Sequence, residues 1–109
     1  MSGDAASPVC AVLGAGSWGT ALAIQFARTG RPTTLWGRDE AHLRELASER
    51  RNRRYLPDAA FPESLLIEPD LGNALLSSRD VLIAVPSHAL RGLLLDVAKQ
   101  RRGGDMRLA

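Results

Sequence analysis

A chain of 109 residues, 45% hydrophobic and 24% charged, has the make-up of one ordinary globular domain, which excludes a disordered, fibrous or collagen-like polymer. The net charge is +2 and the pI about 9.3, a balance that suits an anionic ligand without requiring nucleic acid. A single cysteine, Cys10, excludes an internal disulfide. The N-terminal residues lack the positively charged start and long apolar centre of a secretory signal, and no apolar run reaches the ~18 residues of a membrane span, so a cytoplasmic protein is expected.

In chain order the pattern alternates. Val9 to Leu13 is a short, continuous apolar run with β-branched residues, which predicts a strand buried on both faces and makes Cys10 a buried structural thiol. Leu22, Ala23, Phe26 and Ala27 recur at helical spacing between Trp18 and Thr29, with Gly30 at the stop. Thr33 to Trp36 reads as a second strand. Asp39 is the expected cap of a helix ending near Arg50, with Leu43, Leu46 and Ala47 on its apolar face and His42 assigned to its polar side.

The following segment, NRRYLPDAAFPES, holds two prolines and is expected to be an irregular connection. LLIE is a weak short strand, and Asp70 caps a brief helix through Leu76. DVLIAV, Asp80 to Val85, is the strongest strand and ends at Pro86. From Ser87 a helix follows with Leu90, Leu93, Leu94, Val97 and Ala98 at the amphipathic positions, broken at RRGG. MRLA begins one more strand. Strands alternating with helices predict an α/β fold, a doubly wound parallel sheet with helices on both faces, and the series breaks off in a strand.

Gly14-Ala15-Gly16-Ser17-Trp18-Gly19 fits G-x-G-x-x-G. It follows a predicted strand and opens a predicted helix, which is the context that gives the motif meaning. In that context Gly14 permits the turn, Gly16 lets the backbone approach a diphosphate, and Gly19 lets the helix lie close on the sheet. The free amides of Ser17 and Trp18 face the phosphates at the positive end of the helix dipole. Gly14, Gly16, Ser17, Trp18 and Gly19 are therefore candidate cofactor contacts, and residues 1–109 read as one Rossmann-type dinucleotide-binding domain cut before its last strands.

At the end of the second strand, Arg38 offers a planar fork to a 2′-phosphate, which favours NADP. Asp39 lies 20 residues after Gly19, where an acid that binds the ribose of NAD stands, so NAD stays open. Arg50 to Arg54 form a basic run read as a solvated helix end, since few aromatic residues stand near to stack bases, and no nucleic acid is expected. His88, at the carboxyl end of the strongest strand, is notable by place, although the first turn of a helix accounts for it. Lys99, the only lysine, lies among polar neighbours. No set of side chains has metal-ligand spacing.

GAGSWGTALA with LWGRD, RRNRRYLPDAAFPESL and DLGNALLSSRDVLIAVPSHALR together resemble the bacterial-type NAD(P)-dependent glycerol-3-phosphate dehydrogenases over nearly all of Val9 to Arg91. The resemblance implies cofactor contacts at Ser17, Trp18 and Arg38, and a family signature at Val85 to Ser87 that puts Pro86 on the strand end beneath the nicotinamide. It also implies hydride transfer between the nicotinamide and dihydroxyacetone phosphate or sn-glycerol 3-phosphate, in glycerophospholipid biosynthesis. The family's catalytic lysines lie in a KG motif and a helical second domain, both expected to be absent from this chain. No catalytic residue is therefore assigned, and binding without turnover is expected; the alternatives are another two-domain dehydrogenase of hydroxy or keto acids, and a non-catalytic NADP-sensing module. The sheet edge left unpaired invites association, a homodimer being the simplest form.

Overall fold

The computed structural model describes residues 9–103; the strand expected at Met106 to Ala109 falls outside them. Ten elements follow one another: β1 (Cys10–Leu13), α1 (Ser17–Arg28), β2 (Thr33–Trp36), α2 (Glu40–Glu49), β3 (Arg51–Asn52), β4 (Leu56–Ala60), β5 (Leu65–Ile67), α3 (Leu71–Leu76), β6 (Asp80–Ile83) and α4 (Ser87–Gly103). Four strands form one sheet in the order β5-β2-β1-β6, and every pairing in it is parallel.

The order explains the burial. β1 and β2 are central and all eight of their residues are buried, as a parallel sheet covered on both faces requires. From β1 the chain moves to β2 and β5, then returns to place β6 on the other side of β1. With this strand order, the right-handed rule for parallel crossovers puts α1 and α2 on one face and α3 on the other, a doubly wound sheet of the Rossmann type. The reversal of direction makes the carboxyl ends of β1 and β6 the switch point whose crevice holds ligands in open α/β sheets.

Local chemistry sets the helix ends. The Asp39 carboxylate accepts a hydrogen bond from the His42 amide at 3.1 Å, and Asp70 accepts one from the Asn73 amide at 2.8 Å, so each acid satisfies an otherwise unpaired donor in the first turn. Arg50 closes α2 in the left-handed conformation, with φ of 56°. In α1, Ala23, Ile24 and Ala27 are buried against β1 and β2, while Leu22 and Phe26 are half-buried at the edge of the core. α4 continues through the first three residues of the RRGG segment that was expected to break it.

Two expectations need correction. The segment after α2 is not an irregular connection: β3 and β4 pair antiparallel as a small ribbon with a register shift between Arg51 and Asn52. Pro57 is tolerated there because a two-stranded ribbon leaves outward edges that need no amide donor. The second concerns DVLIAV, which is the least buried of the four parallel strands and ends at Ile83, with Val81 42% exposed. Its composition specifies a strand, but its edge position in the described sheet leaves it half covered.

At the opposite end of the strands from the crevice, Arg31 forms an ion pair with Asp80 that ties the entry of β2 to that of β6. Burial pushes the neighbouring Cys10 thiol above its ordinary pKa; the Arg31 charge pulls it partly back and Asp80 adds to the rise. A raised thiol favours the protonated folded form. Its contribution to stability is complete below the ordinary thiol range and is lost as pH climbs through the raised value. We expect Cys10 to react slowly with a disulfide reagent at about pH 8 in the native protein and rapidly after denaturation. Native-state labelling as fast as the denatured rate would contradict this.

Candidate functional site

The crevice is built from its backbone upward. β1 leads straight into Gly14, whose φ of +127° side chains rarely adopt. A Cβ there would lie 2.2 Å from the Ala84 carbonyl oxygen, so the loop leaving β1 is pressed against the chain leaving β6. The Gly14 amide donates to the Trp36 carbonyl at 2.7 Å, and the Ala84 amide donates to the Leu13 carbonyl at 2.9 Å. These bonds extend the sheet ladder beyond the strand ends and hold three chain segments side by side.

Gly19, in the first turn of α1, is equally confined: a Cβ would meet the Gly14 carbonyl oxygen at 1.8 Å and the Ala84 Cβ at 3.3 Å. Gly37 follows the same logic at the end of β2, where a Cβ would come within 2.9 Å of the Ala15 Cβ. Gly16 differs from all three, since a Cβ built on it meets nothing within 4 Å. The loop is therefore tight on its protein-facing sides and open at Gly16.

Gly16 is also the N-cap residue of α1, with no side-chain cap bond and no acidic residue in the first turn. No side chain of the cap or the first turn thus serves the amides at this helix start, and the positive end of the helix dipole lies behind them. Ser17 and Trp18 stand here exposed, the Trp18 side chain at 65%. Pro86 lies exposed two residues beyond Ala84, on the segment that faces Gly14 and Gly19.

Arg38, the remaining candidate, follows Gly37 at the rim. Its Nη1 pairs with Asp96 Oδ2 of α4 at 3.0 Å, and its guanidinium sits 5.9 Å from the centre of the Trp36 ring. It is paired but still largely exposed. The Asp39 carboxylate is engaged in capping α2, with Arg54 at 3.9 Å on its other oxygen.

The basic run has internal duties. Arg50 donates to the Pro62 carbonyl at 2.9 Å and lies over the Phe61 ring, Arg51 donates to the Pro57 carbonyl at 3.0 Å, and Arg53 pairs with Glu49 at 2.7 Å. The run is in part the solvated helix end expected, since Arg53 and Arg54 are exposed, while Arg50 and Arg51 brace the β3-β4 ribbon and the chain that follows it.

His42 needs correcting too, because it is buried, not on a polar face. It is four residues before Leu46 and so shares the inward face of α2. Its Nε2 lies 3.1 Å from Asn52 Oδ1, and its ring meets that of Tyr55 edge-on at 5.8 Å. Asn52 in turn donates through Nδ2 to the Ala15 carbonyl at 3.0 Å and to the Thr20 hydroxyl at 2.8 Å, while the Tyr55 amide donates to its Oδ1 at 3.3 Å. The sequence signals were small: a histidine sharing a helix face with Leu46, and a neutral residue amid four arginines.

Among the described residues, no group of three or more His, Cys, Asp or Glu side chains is placed to hold a metal ion, and no helix is long and apolar enough to cross a membrane.

A family model described as the N-terminus of NAD-dependent glycerol-3-phosphate dehydrogenase matches residues 9–106. The glycerol-3-phosphate dehydrogenase (NAD(P)+) of Pasteurella multocida is 53% identical over 105 residues, covering 96% of this chain and 31% of that protein. Its namesake from Haemophilus influenzae is 54% identical over 86 residues, covering 79% of this chain and 26% of its own length. This chain thus spans less than a third of the length of the curated relatives it matches. The crystal structure of glycerol-3-phosphate dehydrogenase from Coxiella burnetii superposes with a TM-score of 0.81 at 43% identity, over 84% of this chain and 28% of that one. The enzyme of the same name from Saccharomyces cerevisiae, at 22% identity and a TM-score of 0.75 over 84% of this chain and 30% of its own, shares the fold. The chain belongs to the NAD-dependent glycerol-3-phosphate dehydrogenase family and carries the family's N-terminal part.

Proposed function

We propose that this chain is the cofactor-binding part of an oxidoreductase that transfers hydride between NAD(P)H and dihydroxyacetone phosphate or sn-glycerol 3-phosphate. The observation that carries the reading is the asymmetry of the glycine loop. At Gly14 and Gly19 a Cβ would collide with the protein's own backbone, whereas at Gly16 it would project into open space beside unpaired helix amides. Packing alone accounts for the first two glycines and gives no reason for the third. A diphosphate brought against the backbone does, because even one methyl group there would stand in its way.

In this reading Gly14 and Gly19 set the turn, Gly16 admits the diphosphate, and the Ser17 and Trp18 amides bind its oxygens. Pro86 borders the nicotinamide end of the crevice. When bound, the dinucleotide supplies or accepts the hydride. The protein's part is to hold it across the crevice and to neutralise its charge with helix amides and Arg38. None of the described residues is assigned as proton donor, so these residues alone bind cofactor without turnover. A cytoplasmic setting is part of the same proposal, supported by Cys10, a lone buried thiol.

Arg38 favours NADP over NAD. Its ion pair with Asp96 joins side chains 60% and 39% exposed, and pairs of that kind contribute about 0–1 kcal/mol. A 2′-phosphate, carrying nearly twice the charge of a carboxylate, displaces Asp96 at small cost. We expect wild-type protein to bind both NADPH and NADH in calorimetry. Arg38→Ala is expected to weaken NADPH more than NADH by about 1–3 kcal/mol, the loss of one charge-assisted pair. Equal losses for the two cofactors would reject the assignment of Arg38, and no binding of either to wild-type protein would reject the function itself.

A further inference from the structure

We propose that Asn52, held in place by His42, is the positioning residue of the glycine loop: it aims the loop's backbone at the diphosphate. The inference rests on the cofactor-binding reading above and adds a residue pair to it.

Asn52 is completely buried, yet each of its hydrogen-bonding positions has a partner. Its two amide protons go to the Ala15 carbonyl at 3.0 Å and the Thr20 hydroxyl at 2.8 Å, and its oxygen takes the Tyr55 amide at 3.3 Å and His42 Nε2 at 3.1 Å. The assignment of its oxygen and nitrogen follows from these partners. The Ala15 carbonyl can only accept and the Tyr55 amide can only donate, so Nδ2 faces the loop and Oδ1 faces the ribbon. His42 must then donate from Nε2.

The consequence is geometric. Ala15 and Gly16 share a planar trans peptide, in which the carbonyl of one and the amide of the next point in opposite directions. By holding the Ala15 oxygen, Asn52 directs the Gly16 N–H away from itself. Its second proton holds Thr20, whose own amide donates to the Gly16 carbonyl at 3.0 Å. One side chain therefore fixes the peptide before Gly16 and the first turn after it, and with them the angle at which the helix amides leave the loop. His42 contributes by taking Asn52 Oδ1, which leaves the amide no slack to rotate. A network that served packing alone would not need its two donors on the two sides of Gly16.

The test uses the full-length protein. NADH affinity is read from fluorescence titration, and the affinity of adenosine, which has the base and ribose but no phosphate, from its competition with NADH. Asn52→Asp keeps shape and acceptor but places a second acceptor against the Ala15 carbonyl. It is expected to weaken NADH by about tenfold or more while adenosine stays within about twofold of wild type. His42→Gln, whose amide can donate in place of Nε2, is expected to stay within about threefold of wild type for NADH, and His42→Leu to fall by about tenfold. Unchanged NADH affinity in Asn52→Asp, or equal loss of NADH and adenosine, overturns the proposal. If Asn52→Asp does not fold, the His42 pair decides, and equal NADH affinities for Gln and Leu overturn it. Failure of wild-type protein to bind NADH is a separate outcome: it removes the cofactor-binding reading and this inference with it.

Discussion

Gly19→Ala is expected to lower the thermal midpoint by on the order of 15 °C and to abolish dinucleotide binding with it. Alanine is the better helix former by about 1 kcal/mol, so propensity alone predicts stabilisation within α1. Sterics reverse the sign. The new Cβ would lie 1.8 Å from the Gly14 carbonyl oxygen and 2.9 Å from its carbon, atoms of the backbone that no rotamer change can move. Relief requires α1 to rise off the sheet, and overpacking of this kind costs about 3 kcal/mol. Circular dichroism melts read the effect. A midpoint within a few degrees of wild type would show that the helix has room the structure denies it.

Gly16→Val, three residues earlier, is expected to act in the opposite sense: binding of either dinucleotide is lost while the protein stays folded. The Cβ position at Gly16 meets no atom within 4 Å, and the backbone, at φ of −81° and ψ of −165°, is extended and open to any residue. The structural cost is that of a poorer N-cap, about 1 kcal/mol, or a midpoint lower by roughly 5 °C. The ligand meets the branched side chain where it needs bare backbone. Calorimetry with NADPH and NADH, together with a melt, separates the two effects, and retained affinity in the folded variant would remove the reason given for this glycine. The contrast between two glycines of one motif is the sharpest check on the site, because in the proposed reading only one of them owes its identity to a ligand.

How much of this was legible beforehand depended on range. Asp39 and Asp70 cap their helices as read, since a cap bonds an amide only three residues away. The glycine loop was legible for the same reason: a strand, a turn and a helix start lie within ten residues, Cys10 to Gly19. The β3-β4 ribbon was not, because two prolines and a two-residue strand leave no alternation to detect.

His42 and Asn52 were missed for another reason. Their roles come from partners 10, 32 and 37 residues apart in sequence, which no local period records. Arg38 was placed at the rim by its strand, but Asp96, brought to it by α4, could not be anticipated.

By itself the sequence determined the parallel α/β order and the backbone freedom of the glycine loop, because both follow from contacts between near neighbours and from the size of a missing side chain. Only the tertiary structure decided that Gly14 and Gly19 are confined by the protein's own backbone while Gly16 faces open space, and that a buried asparagine hydrogen-bonds the loop. Those facts depend on what the folded chain brings within 4 Å of each position, and proximity between distant residues is a property of packing rather than of order along the chain.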